Sequence, residues 1–283
     1  MRKIALHLLA LGLTVLAGCA SKPAETLALK IAVNDIYCTD TACFCVHDVA
    51  ARGYAASLEQ LRAEHGIALD FTYFAEPYQL EEAILSGQYD GVLSKPWTAL
   101  RLQKQAKADF RRIVDVLDPG NNRWLSGSVI VPVDSPLQSL DELTGKHVYL
   151  GQPDAYEKHQ AAKRLFGQRG IQPAKIDTHA SCSENIGELL DGKADAAVIS
   201  DYALSADCAV DFANPEEFRT LGRTEQIPLT SLMLDMNKVD DAEAQRLTKA
   251  LLSISGRKAD AALLSKGFVP PAAWNPPELE NAP

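Results

Sequence analysis

Leu80-Glu81-Glu82-Ala83-Ile84-Leu85-Ser86-Gly87-Gln88-Tyr89-Asp90-Gly91-Val92-Leu93-Ser94-Lys95-Pro96-Trp97 holds one full turn of a repeating pattern. Leu80, Ala83 and Ile84 recur at helical spacing, Gly87 stops that helix, and Asp90 to Ser94 reads as a strand. Pro96 stands where the next helix begins, over Trp97 to Ala108. Toward the amino terminus the pattern repeats. Ile67 to Phe74 reads as a strand, Gly66 ends a helix running from Val46 to Arg62 through Val49, Ala50, Tyr54, Leu58 and Leu61, and Leu29 to Asn34 alternates like a strand. Strand and helix therefore alternate over the first hundred residues as in a parallel sheet.

Beyond that, Ser128 to Val133 is a β-branched run ending in the turn Asp134-Ser135-Pro136. Strands are expected at His147 to Leu150, near Ile176 and at Ala194 to Ser200. Helices lie between them, from about Ala155 to Gln168 and from Ser183 to Leu190. This is a second alternating α/β unit. Leu229 to Leu234 reads as a strand, Asp240 or Asp241 caps a helix reaching Ile254, and a proline-rich tail follows Phe268.

At the amino terminus, Arg2 and Lys3 precede an apolar stretch from Ile4 to Val15 that closes in Leu16-Ala17-Gly18-Cys19. This is the pattern of a secretory signal ending in a bacterial lipobox, too short for a membrane span. Residues 1–18 are expected to be removed and Cys19 to carry a diacylglycerol. Acylation of the new amino terminus supplies the second anchoring signal. Residues 19–26 are small and polar and suit a tether. The mature chain is then expected at the cell envelope, facing the periplasm or exterior, on the inner or the outer membrane. Losing Arg2 and Lys3 leaves 26 basic residues against 37 acidic, a net charge of −11, which argues against a nucleic-acid partner. With 47% apolar residues the chain can bury one large core or two smaller ones.

Three segments, in order, resemble the phosphate/phosphite/phosphonate-binding proteins of ABC transporters, the PhnD-like branch of the type 2 periplasmic binding proteins. They are Glu81 to Gly91, Asp134-Ser135-Pro136 leading into Ser139 to Lys146, and Leu189-Leu190-Asp191-Gly192-Lys193-Ala194-Asp195-Ala196-Ala197. The resemblance implies a two-lobed α/β fold with a mixed sheet in each lobe and a solute held in the cleft between them. On that template residues 27–124 and 232–283 form the first lobe and 125–231 the second. It also implies a monomer that closes on a small anion and hands it to an ABC permease, or, in a sensor, docks on a histidine kinase.

Ligands of open α/β sheets lie beyond the carboxyl ends of the strands, where helix amino termini face them. Four loops meet that condition: Asn34 to Cys45, Ser94 to Trp97, Gln152 to Lys158 and Ser181 to Asn185. Asp201-Tyr202 ends another strand at the rim. Lys95 is the leading anion contact, adding a full charge to a helix dipole. Trp97 and Tyr202 are candidate pocket walls, and Tyr37, Tyr156, Lys158 and Ser183 are further ligand-binding candidates on these loops. One departure from the family is chemical. Where phosphonate-binding relatives carry a Ser/Thr-Ser-Gly turn, this chain has Asp154-Ala155-Tyr156-Glu157, whose carboxylates repel phosphate-like oxygens unless Lys158 or His159 compensates.

Besides Cys19, the chain has Cys38, Cys43, Cys45, Cys182 and Cys208. One reading pairs Cys38 with Cys43 or Cys45 and Cys182 with Cys208, as an oxidising compartment favours. The other makes these thiolates, with His47, ligands of a soft metal or metalloid. No cofactor is otherwise expected. Cys43 or Cys45 near His47 is the sole hint of a nucleophile, no partner or oxyanion motif accompanies it, and an enzyme is not expected.

Overall fold

The computed structural model describes residues 26–34, 54–117, 121–205, 213–254 and 267–274. Strand β1 (Leu27–Asn34) sends Leu27, Leu29, Ile31 and Val33 to one face of its sheet and Ala32 to the other. Then come α1 (Ala55–His65), β2 (Ile67–Tyr73), α2 (Pro77–Ser86), β3 (Gly91–Ser94), α3 (Pro96–Ala106) and β4 (Phe110–Leu117). Gly66 and Gly87 end α1 and α2 with φ of 62° and 65°, a conformation that a Cβ would strain.

Short β5 (Trp124–Leu125) leads into β6 (Gly127–Pro132), β7 (His147–Gly151), α4 (Gln160–Arg169), β8 (Lys175–His179), α5 (Cys182–Leu190), β9 (Ala196–Ser200) and β10 (Phe218–Arg223). The chain returns through β11 (Ile227–Pro228) to β12 (Ser231–Asp235), α6 (Asp241–Ile254) and β13 (Gly267–Val269). Asp240 caps α6. Its Oδ1 accepts from the Glu243 N–H while Glu243 Oε2 accepts from its own N–H.

One sheet has the order β13-β4-β12-β3-β1-β2 and the other β10-β6-β9-β7-β8. Each contains a parallel triplet, β2-β1-β3 or β8-β7-β9. Beside the third strand of each triplet lies, antiparallel, the strand that has just crossed over from the other half: β12 next to β3, and β6 next to β9. One plan thus occurs twice, linked by the antiparallel ribbon of β5 and β11. This is the expected two-lobed α/β fold with a mixed sheet in each lobe. Parallel strands need both faces covered. In the first lobe α1 and α6 bury Leu61, Leu247 and Leu251 against one face, and α2 and α3 bury Leu80, Ile84 and Leu100 against the other. In the second, Phe166 of α4 and Ile186 of α5 cover opposite faces. A fifth apolar cluster, Trp97, Leu125, Tyr156, Ala161, Ile227 and Leu229, joins residues of both lobes at the ribbon.

Strands β5, β10, β11 and β13 are not among the expected elements, and two further differences have a clear physical reason. β4 was not anticipated, because Arg111-Arg112 interrupts its apolar pattern. It forms because β12 and β13 pair on its two sides and bury Ile113 to Val116. The helix expected from Ala155 is instead a 3₁₀ turn, Tyr156–Lys158, a break at His159 (φ −124°, ψ −78°), and then α4. The break is held by the His159 ring, whose Nδ1 donates to the Gly151 carbonyl at 2.7 Å. Burial is the main influence on this imidazole and pushes its pKa below the usual histidine range, outweighing the Gly151 hydrogen bond, which works the other way.

Candidate ligand site

The carboxyl ends of β3 and β9 converge on one point between the lobes. β3 ends at Ser94, and Lys95 then caps α3 with Pro96 in its first turn. That cap throws the Lys95 side chain across to the second lobe, where Nζ meets Glu157 Oε1 at 3.0 Å. Ser200, the last residue of β9, donates its hydroxyl to the same oxygen at 2.9 Å. Glu157 is 0% exposed, and Oε2 is buried with no hydrogen-bond partner. Burial opposes its charge, but the ammonium groups of Lys95 and Lys158 and the Lys95 and Ser200 hydrogen bonds outweigh it, holding the carboxyl below the usual glutamate range.

The backbone of Glu157 is fixed from the hinge side. Its carbonyl accepts from Thr224 Oγ1 at 3.0 Å, and that oxygen in turn accepts the Gly127 N–H at 2.7 Å. Gly127 is required here, because a Cβ at that position would lie 2.3 Å from the Glu157 carbonyl oxygen. Gly151 makes similar room for the stem of Lys158. Lys158, 3% exposed, directs Nζ to Cys182 Sγ at 3.6 Å, and the Ser200 N–H donates to that sulfur at 3.4 Å.

Aromatic rings close the space beside the ion pair. Trp97 of the first lobe and Tyr156 of the second have ring centroids 4.6 Å apart, and Trp274 stands edge-on to Tyr156 at 6.4 Å. The Tyr156 hydroxyl donates to Glu225. Burial first, and then that hydrogen bond, raise its pKa, so it remains a neutral donor.

Of the sequence candidates, Lys95, Trp97 and Tyr156 meet across the lobe boundary. Lys158 sits behind Glu157 on Cys182. Ser183 lies in the first turn of α5, half-buried, where the helix end is closed by a capping box between Ser181 and Glu184. Tyr202 packs against the hinge cluster. Tyr37, Cys19, Cys38, Cys43, Cys45, Cys208 and His47 lie outside the described residues. Cys182 is a free, buried thiol whose sulfur faces Ser200 and Lys158; Cys208, its expected partner in one reading, lies outside the described residues. In the sequence Glu157 reads as a repulsive carboxylate, and Ser200, Thr224 and Trp274 do not stand out. The available signal was the adjacent Glu157-Lys158 pair at a helix start, a placement of opposite charges that asks for partners.

Among the described residues, no group of three or more His, Cys, Asp and Glu side chains is arranged to hold a metal ion, and no helix is long and apolar enough to cross a membrane. No curated protein sequence matches the chain. Solved structures do. XAC2383 from Xanthomonas citri, bound to chloride, is 18% identical with a TM-score of 0.67 over 87% of this chain and 92% of that one. PhnD1 from Prochlorococcus marinus, in complex with methylphosphonate, is 11% identical with a TM-score of 0.57 over 87% and 93%. The aliphatic sulphonate binding protein SsuA from Escherichia coli is 17% identical with a TM-score of 0.55 over 83% and 73%. These likenesses support the two-lobed fold. Residues 46–274 match the family model described as ABC transporter, phosphonate, periplasmic substrate-binding protein, and the chain belongs to that family.

Proposed function

We propose that the protein is a lipid-anchored extracytoplasmic receptor that captures a small phosphonate- or sulfonate-like oxyanion between its lobes and delivers it to an ABC permease. The observation that carries this reading is Lys95. Its ammonium stands at the amino end of α3, beyond the carboxyl end of β3, and spans the space between the lobes. Trp97 and Tyr156 form an apolar wall beside it, suited to the carbon side of an organic anion. Cys19 at the end of the lipobox is the proposed lipid attachment.

Titration calorimetry of the purified protein with methylphosphonate, ethanesulfonate and phosphate tests the reading. At least one is expected to bind, and Lys95→Met should weaken it by about tenfold or more, the size of one lost charge-assisted hydrogen bond. The absence of binding by all three, or unchanged affinity in the variant, would overturn it.

A further inference from the structure

We propose that Glu157 is a built-in ligand of the cleft, a carboxylate of the protein itself that takes the place of a solute oxyanion on Lys95 and Ser200 and holds the lobes together when no solute is bound. This rests on the substrate-binding reading above and concerns the regulation of that site.

Three observations converge on it. The first is position. The Glu157 carboxylate lies where β3 and β9 both end, at Lys95 and Ser200, the place where open α/β sheets hold their ligands. The second is chemistry. Its two partners, an ammonium and a hydroxyl, are the donor types that recognise oxyanions, so the carboxylate and an anionic solute compete for the same groups. The third is connectivity. Lys95 and Trp97 belong to the lobe of the six-stranded sheet, Glu157 and Tyr156 to the other, and each contacts its counterpart across the boundary. Closure contacts that a solute would otherwise supply are here made by side chains.

The carboxylate is also poised to leave. Oε1 takes both donors, whereas Oε2 is buried without any. A buried acceptor left without a donor is costly, so a solute that displaces Glu157 relieves an unsatisfied oxygen as it forms its own bonds. Glu157 thereby sets a threshold: an anion enters only if it outcompetes the internal carboxylate on Lys95.

The test is small-angle X-ray scattering on the full chain carrying Cys19→Ser, which keeps it unanchored, after unfolding, dialysis and refolding remove carried-over solute. That protein is expected to be as compact without solute as with saturating methylphosphonate. Adding Glu157→Gln, and separately Lys95→Gln from the other lobe, should increase the solute-free radius of gyration, with cooperative melting retained by circular dichroism. A parent that is expanded without solute overturns the proposal, and so does either variant that folds yet stays compact. If Glu157→Gln expands but neither it nor the parent, both of which keep Lys95, binds any of the anions, the latch stands and the transport reading fails instead.

Discussion

Asp115 and Glu157 are both carboxylates with no exposed surface, one in each lobe, yet they are held in opposite ways. Asp115 is saturated. Arg112 Nη2 and Ser231 Oγ reach one oxygen at 2.6 and 2.7 Å, while Arg123 Nη2 and the Ala272 N–H reach the other at 2.6 and 2.8 Å. Arg123 precedes the crossing strand β5 and Ser231 begins the strand after β11, so this one carboxylate ties both crossings and the carboxyl-terminal segment to the first lobe. Glu157 has donors on one oxygen only, and one of those donors comes from the opposite lobe. A buried charge with both oxygens fully bonded braces the segments around it; a half-satisfied charge bonded across a lobe boundary can exchange partners.

The largest effect should follow from breaking the saturated site. Asp115→Ala leaves two guanidinium groups facing a vacated centre and is expected to cost about 3–5 kcal/mol in urea unfolding. A loss below that of Glu157→Gln would invert the comparison. Next, Gly127→Ala drives a Cβ against the Glu157 carbonyl and should cost about 1–3 kcal/mol, because backbone on both sides must move. Gly151→Ala should cost less, since the atoms it meets belong to the Lys158 side chain. Equal losses would mean that Lys158 is held as firmly as backbone.

The smallest effect is one of pH. The Glu157 carboxyl is held below its unfolded pKa, so its contribution is complete above that unfolded value and is lost as pH falls through the lowered folded one. Urea midpoints of the wild type and Glu157→Gln should therefore differ by a constant amount at neutral pH and converge at the acid end. A difference independent of pH would show that the ionised carboxylate is not what Lys95 and Ser200 hold.

Much of this arrangement is legible in the chain. Gly66 and Gly87 mark helix ends because their positive φ excludes side chains, and alternation along Leu29 to Asn34 marks a strand because its faces pack against different helices. Lys95, read as a cleft residue from its place between strand and helix, does reach across the lobe boundary. β4 escaped notice because its stability comes from neighbours on both sides that are more than a hundred residues distant in part of their pairing, as Leu232 with Val114 shows. The turn at Tyr156–Lys158 has the spacing of a helix in the sequence, because spacing cannot register a ring bonded to the carbonyl of Gly151.

By itself, then, the sequence determined what depends on near neighbours: element types, their alternation, the turns between them and the helix starts that face a cleft. Tertiary structure decided the meaning of the charges. Glu157 is a liability when only its neighbours are considered and becomes the partner of Lys95, 62 residues away, once β3 and β9 end at the same place. Cys182 likewise acquires its neighbours, Ser200 and Lys158, only from the folding of the chain. A charge or a thiol acquires its role from the groups within a few ångströms of it, and chain folding, not sequence spacing, determines which groups those are.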